Sequence, residues 1–308
     1  VLPSGAAPGS PEKTLEFTRN KGTLEAQAAK KELRTIERGE RSLKVAVITV
    51  PGVYQDVLAQ NAGDKEFRST TRDVRRLLDE AKADKVDGVV LDLRGNGGGY
   101  LPEATALTGL FVEKGPVVQL KVTTGELEVQ DDPDPTIAYA GPLAVLVDRF
   151  SASASEIFAG AIQDYRRGVV LGQRTFGKGT VQNLVPLDRW SAKPTSGQLT
   201  VTIGKFYRVT GESTQHRGVE PDVPLPSPID IEEVGESALP GALPWDRIPG
   251  VPFRLESRMP KTPIATLALE ERARADQDPN YRWLVSDLAA LDTIRKQTSL
   301  SLNLKERQ

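Results

Sequence analysis

In Pro142-Leu143-Ala144-Val145-Leu146-Val147-Asp148-Arg149-Phe150-Ser151-Ala152-Ser153-Ala154-Ser155-Glu156, a short apolar run gives way to small residues and then to a helical pattern. The run is β-branched and does not alternate, which suits a strand buried on both faces of a sheet. Ile157, Phe158, Ala161, Ile162 and Tyr165 then recur at helical spacing as far as Gly168. The serines therefore sit where a strand turns into a helix. At such a turn the first helical N–H groups have no intrahelical partner and can bind a developing negative charge.

Ser153 has two readings. Ser153-Ala154-Ser155-Glu156 has the form of a capping box, in which serine and glutamate satisfy each other's backbone donors. The same serine could instead be a nucleophile, which requires a base to take its proton. The chain has no cysteine and a single histidine, His216, in the polar run Ser213-Thr214-Gln215-His216-Arg217-Gly218, where a solvated loop residue is expected. Lysine can act as the base when burial disfavours its ammonium form. Lys178 lies in Thr175-Phe176-Gly177-Lys178-Gly179-Thr180-Val181-Gln182, whose glycines admit close backbone approach. In an extended segment Gln182 shares the face of Lys178 and can hold its amine. Asp164 lies about three helical turns beyond Ser153 and is expected to face away, so Ser/Lys/Gln is preferred to Ser/Lys/Asp.

Working outward, Leu43 to Pro51 and Val86 to Leu93 read as strands. Between them a helix from Ser69 to Ala83 has its apolar stripe at Val74, Leu77, Leu78 and Ala81. Strand, helix and strand in that order predict a right-handed crossover and a sheet that is at least partly parallel. Asp92-Leu93-Arg94-Gly95-Asn96-Gly97-Gly98-Gly99-Tyr100 follows, lacking the lysine and serine or threonine of a nucleotide P-loop. It is either a tight turn or a loop whose N–H groups point into a site. Val117 to Thr123 and Leu199 to Tyr207 read as strands, and Asp131-Asp132-Pro133-Asp134 as an exposed loop. Beyond Pro226 the texture changes. Residues 227–263 are rich in proline and acidic side chains, and Leu267, Leu269, Trp283, Leu284, Leu288, Leu291 and Ile294 predict a helical appendage. At the other end, Lys13 to Arg19 alternates like an edge strand after a Pro/Gly/Ala linker.

The 308 residues carry 40 Lys and Arg against 42 Asp and Glu, a net charge of −2, which gives no footing to nucleic acid or to a strongly charged membrane surface. About two domains are expected. Without cysteine there is no disulfide framework and no thiolate zinc site. No run of residues approaches the ~18 apolar positions of a spanning helix.

Ser-Ala-Ser-Ala-Ser-Glu at residues 151–156, followed by Thr-Phe-Gly-Lys-Gly-x-Val-Gln at residues 175–182, resembles the signature of the C-terminal processing, or tail-specific, serine peptidases, and within them the bacterial periplasmic branch. The resemblance implies that Ser153 is the nucleophile, Lys178 the general base and Gln182 its orienting partner. It implies an oxyanion hole from the amides of Gly98 and Ala154, with Arg94, Gly99, Glu156 and Thr175 in support. It implies a crotonase-like α/β core of mixed sheet direction over residues 23–228. Residues 1–22 would be the end of a PDZ domain, and residues 229–308 a mainly helical C-terminal region. It implies polypeptide substrates with apolar C-termini, a helical-repeat lipoprotein adaptor, at most peripheral membrane association, a periplasmic setting, and no metal or other cofactor. Two other classes stand beside it. One is a non-catalytic peptide-binding or scaffold module on the same fold, since fold does not fix activity. The other is an acyl-CoA enzyme, for which no carboxylate pair or CoA motif is found.

Overall fold

The computed structural model describes residues 14–16, 28–188, 197–255, 263–299 and 301–307. In chain order the strands are β1 (Lys30–Arg38), β2 (Arg41–Thr49), β3 (Gly88–Asp92), β4 (Gly115–Val122), β5 (Leu127–Asp132), β6 (Leu143–Val147), β7 (Val169–Gly172), β8 (Thr180–Pro186), β9 (Gln198–Tyr207) and β10 (Val223–Pro224). The helices are α1 (Val57–Asn61), α2 (Thr70–Ala83), α3 (Leu101–Gly109), α4 (Ala154–Asp164), α5 (Ile264–Gln277), α6 (Pro279–Arg295) and α7 (Leu304–Arg307).

The larger sheet has the order β1-β2-β3-β6-β7-β10. β1 pairs antiparallel with β2, and every later neighbour is parallel, with α2 carrying the chain from β2 to β3 and α4 from β6 to β7. Ile48, Leu91, Val145 and Val170 stand opposite one another across four of these strands and are completely buried. Each such side chain contributes about 1.5–3 kcal/mol of burial. The row packs on Val74, Leu77, Leu78 and Ala81 of α2 and on Phe158 and Ile162 of α4, where Phe158 meets Phe111 edge to face at 5.8 Å. A second, antiparallel sheet, β5-β4-β9-β8, leans on α4 through Val117, Val118, Ala161 and Phe206.

Two expectations change. β6 is not equally buried on both sides: Leu143, Val145 and Val147 are buried, whereas Ala144 and Leu146 are only half-buried. Its second face borders an apolar groove of about 450 Å³ that Leu267 and Glu271 of α5 also line. The acidic run 131–134 is not all exposed loop, because Asp131 and Asp132 close β5 and Asp132 is buried against Gly109 of α3. Burial raises the pKa of its carboxyl. β1, a charged and almost wholly exposed edge strand, gave no apolar alternation to read, and such charge keeps an open edge from pairing with other chains. The strand expected over Lys13 to Arg19, and with it the PDZ end at residues 1–22, lies outside the described residues except for Thr14, Leu15 and Glu16, which belong to no element.

β3 and β6 are neighbouring parallel strands, so the loops that leave their carboxyl ends, residues 93–100 and 148–153, emerge side by side. In open α/β sheets that edge is where ligand sites form.

Candidate active site

Asp148 organises the turn after β6. Its Oδ1 accepts from the amides of Gly95, Phe150 and Ser151 at 3.0–3.1 Å, binding the glycine loop to the serine loop. The three serines then separate by environment. Ser151 is buried and its hydroxyl donates to the Leu93 carbonyl at 2.8 Å. Ser155 is buried and donates to the Asn96 carbonyl at 2.9 Å. Ser153 is half-buried and lines a cavity of about 710 Å³.

Ser153 has φ 57° and ψ −115°, a left-handed conformation that side chains rarely adopt. Such a backbone costs of order 1–3 kcal/mol and persists where the surrounding structure imposes it. An ordinary serine cap looks different, and the chain contains one. Ser69, ahead of α2, is extended at φ −152° and ψ 160°, and its side chain accepts from the Arg72 amide. Ser153 and Glu156 keep the form of a capping box, yet the Ser153 hydroxyl makes no cap hydrogen bond of ordinary geometry. Only the Glu156 half is tight, with Oε2 accepting from the Ser153 amide at 2.7 Å.

Glu156 is completely buried and accepts four hydrogen bonds. Oε1 takes the Thr175 hydroxyl at 2.5 Å and the Gly177 amide at 2.7 Å, and Oε2 takes the amides of Ser153 at 2.7 Å and Lys178 at 3.0 Å. Burial pushes its pKa up to about 7 against the pull of these donors. The segment carrying Lys178 is thereby pinned to the first turn of α4. Lys178 Nζ donates to Gln182 Oε1 at 3.1 Å, and Gln182 Nε2 reaches Thr202 Oγ1 at 3.3 Å. Both side chains line the Ser153 cavity, whose apolar wall includes Leu101, Ile157, Val181 and Phe206.

Gly98 and Ala154 are not equivalent. No described group accepts from the Ala154 N–H, which opens α4. The Gly98 N–H is taken, donating to Asn96 Oδ1 at 2.9 Å. The next amide of the loop, that of Gly99, is not taken. The Gly98 carbonyl accepts from Val53 N–H at 2.9 Å, and in a trans peptide the N–H on the other side of that bond points the opposite way. The Gly99 N–H therefore turns from Val53 toward the cavity that Gly99 lines, and no described group accepts from it. The amides of Gly99 and Ala154 are both available, and Gly97, whose N–H also meets no described acceptor, lines the same cavity. The expectation for Gly98 is corrected accordingly: it supplies room, since a Cβ there would sit 2.8 Å from that of Ser153.

Thr175 is buried, donating to Glu156 and accepting from the Val219 amide at 2.7 Å. Arg94 stays outside the cavity, with its guanidinium paired to Asp92 at 2.8 Å. Asp164 pairs with Arg208 on the far end of α4. His216 is half-buried rather than solvated: its amide donates to the Gly177 carbonyl at 2.8 Å, and its Nε2 is buried without a partner. Sequence reading missed Asp148, Asn96, Thr202 and Arg149. Asp148 alone left a signal, as an aspartate between a strand and small residues, where side chains bind backbone amides locally.

A strained serine whose hydroxyl donates to no described group, a lysine amine in the same cavity and unspent backbone amides form the layout of a serine acyl-transfer site. Residues 44–225 match the model of peptidase family S41, and residues 229–308 match that of the C-terminal domain of tail-specific protease. The chain belongs to peptidase family S41. It is 40% identical over 306 residues to the tail-specific protease of Haemophilus influenzae, covering 98% of this chain and 42% of that one. It is 33% identical over 233 residues to the chloroplastic C-terminal processing peptidase of Tetradesmus obliquus, covering 74% of this chain and 47% of that one. Among solved structures, the photosystem II D1 C-terminal processing protease superposes with a TM-score of 0.53 at 29% identity, covering 69% of this chain and 51% of that one. The chain spans about half the length, or less, of these relatives. No helix of the described residues is long and apolar enough to cross a membrane.

Proposed function

We propose that the chain is the catalytic part of a serine endopeptidase that works through Ser153 and Lys178. The observation that carries this is the convergence of both residues on one carboxylate oxygen, Glu156 Oε2, beside the unspent amides of Gly99 and Ala154. Ser153 Oγ attacks the scissile carbonyl carbon while neutral Lys178 takes the hydroxyl proton. The carbonyl π pair moves onto oxygen, and the resulting oxyanion accepts from the two amides. As the C–N bond breaks, the Lys178 ammonium returns its proton to the leaving amine, leaving an acyl ester on Ser153. Water then attacks the ester with Lys178 again as base, releasing the acid and restoring the hydroxyl. Gln182 holds the lysine amine at the site, and Thr202 holds Gln182.

The substrates we infer are unfolded polypeptides with apolar C-termini. The apolar wall of the cavity and the names of the relatives, tail-specific and C-terminal processing, support this. The family resemblance alone supports a PDZ domain as the reader of the tail, a helical-repeat lipoprotein adaptor, a periplasmic location and at most peripheral membrane contact. The test is cleavage of an unfolded reporter with an apolar tail. Cleavage by the chain that disappears in Ser153→Ala is the expected result. Equal cleavage by both overturns Ser153 as the nucleophile, and binding without cleavage overturns the peptidase reading in favour of a binding module.

A further inference from the structure

Asn96 is completely buried in the glycine loop, and the chemistry above does not use it. Its side chain bridges two segments. Nδ2 donates to the Val50 carbonyl just beyond β2 at 2.8 Å, and Oδ1 accepts from the Gly98 amide at 2.9 Å. Its main-chain carbonyl accepts twice more, from the Ala152 amide at 3.0 Å and the Ser155 hydroxyl at 2.9 Å. Its own N–H returns to the Leu93 carbonyl at 3.1 Å.

These bonds reach both halves of the oxyanion site. On one side the Gly98 residue is held at each end, its N–H by Asn96 and its carbonyl by Val53, and that fixes the direction of the Gly99 N–H. On the other side the bonds to Ala152 and Ser155 bracket Ser153 and Ala154 between them. A neutral carboxamide is suited to this place because it donates and accepts at once. A carboxylate would face the Val50 carbonyl with a second acceptor, and an aliphatic side chain would leave both buried groups unpaired.

We propose that Asn96 is a positioning residue that sets the spacing of the Gly99 and Ala154 amides around the tetrahedral oxyanion. The proposal rests on the peptidase reading. It predicts a defect confined to the transition state, because the substrate's ground-state contacts along the cavity do not involve Asn96.

The experiment compares wild type, Asn96→Ala and Asn96→Asp, the last keeping the size and the acceptor toward Gly98. It reads kcat and KM on the unfolded reporter, the rate at which an alkyl fluorophosphonate labels Ser153, and Tm. The phosphoryl oxygen of the probe occupies the same pair of donors as the oxyanion. Labelling of wild type but not of Ser153→Ala sets the baseline, and a wild type that resists labelling would sink the peptidase reading instead. The expected result for both variants is a fall of about 10²–10³-fold in kcat and in labelling rate, the size of losing one oxyanion donor. KM stays within about twofold and Tm above the assay temperature. Unchanged labelling, a rise in KM at constant kcat, a loss matching the loss of folded protein, or failure of both variants to fold would each overturn the proposal and leave Asn96 a support of the fold.

Discussion

Ser153 and Lys178, 25 residues apart in the chain, are tied through their amides to the same atom, Oε2 of Glu156, at 2.7 and 3.0 Å. The carboxylate is buried in the first turn of α4, so the spacing of the two residues is set by a group that contacts no substrate.

Replacing that carboxylate by its amide separates geometry from burial. In Glu156→Gln one acceptor oxygen becomes an NH₂ donor facing donors, so either the amides of Ser153 and Lys178 or the Thr175 hydroxyl and the Gly177 amide lose their acceptor. We expect kcat to fall by at least ~10²-fold, the scale of misplacing reacting groups by about 1 Å. Thr175→Val, which removes one donor to Oε1, is expected to fall less. Steady-state kinetics on the reporter protein measures both, and an unimpaired Glu156→Gln would refute the anchoring role.

The same group gives a pH dependence with opposite signs for stability and activity. Its pKa is raised from 4.5 to about 7 by burial, so the folded state binds more protons than the unfolded state between those values. Its contribution to stability is fully present below pH 4.5 and is lost as pH rises to about 7, on the order of 3 kcal/mol in all. Protonation, however, turns one of the accepting oxygens into a donor and releases one of the four bonds, so activity should drop as pH falls below about 7. Comparing the kcat profile of wild type with that of Glu156→Gln isolates the carboxyl contribution, and an identical acid limb in both would reject it.

The glycine loop tolerates no side chain at either of its central positions. Gly99 has φ 151°, and a Cβ there would run into the Val53 carbonyl, while Gly98 has φ 98° and a Cβ would sit 2.7 Å from the Ala152 carbonyl oxygen. Gly98→Ala and Gly99→Ala should each lower kcat by ~10²-fold or more, because either displaces an oxyanion donor or the serine turn. Circular dichroism of the same samples distinguishes a displaced site from an unfolded chain.

Arg149 predicts a link between the core and the C-terminal region. It is completely buried, and its guanidinium donates to the carbonyls of Thr175, Ile231 and Val234. It thus joins the segment leading to Lys178 with the segment that follows β10. Burial lowers its pKa, yet it keeps its charge because the guanidinium value starts so high. Arg149→Met should cost about 2–4 kcal/mol, as the buried Thr175 carbonyl and the part-buried carbonyls of Ile231 and Val234 lose their donor while one desolvated charge is removed. Thermal unfolding measures the loss, and proteolysis between residues 225 and 255 should become faster in the variant. A variant as stable as wild type would show the clamp to be dispensable.

Much of this protein was legible in the sequence. The parallel strands, α2 and the strand-to-helix turn follow from periodicity, because a buried face must repeat with the geometry of its element. Ser153, Lys178 and Gln182 stand out as residue types at a spacing, and the Lys178–Gln182 pair needs only local chain direction. Tertiary structure decided the rest. Which serine is free depends on the Leu93 and Asn96 carbonyls, which take the hydroxyls of Ser151 and Ser155 from 58 and 59 residues away in the chain. That the Gly98 amide is taken and that of Gly99 is not depends on Val53 and Asn96 claiming the two ends of Gly98. That Glu156 joins the serine turn to the lysine segment depends on α4 packing against residues 175–178. Such assignments are invisible to periodicity because a hydrogen bond satisfies whichever donor the fold brings within reach, and the sequence lists the donors without their distances.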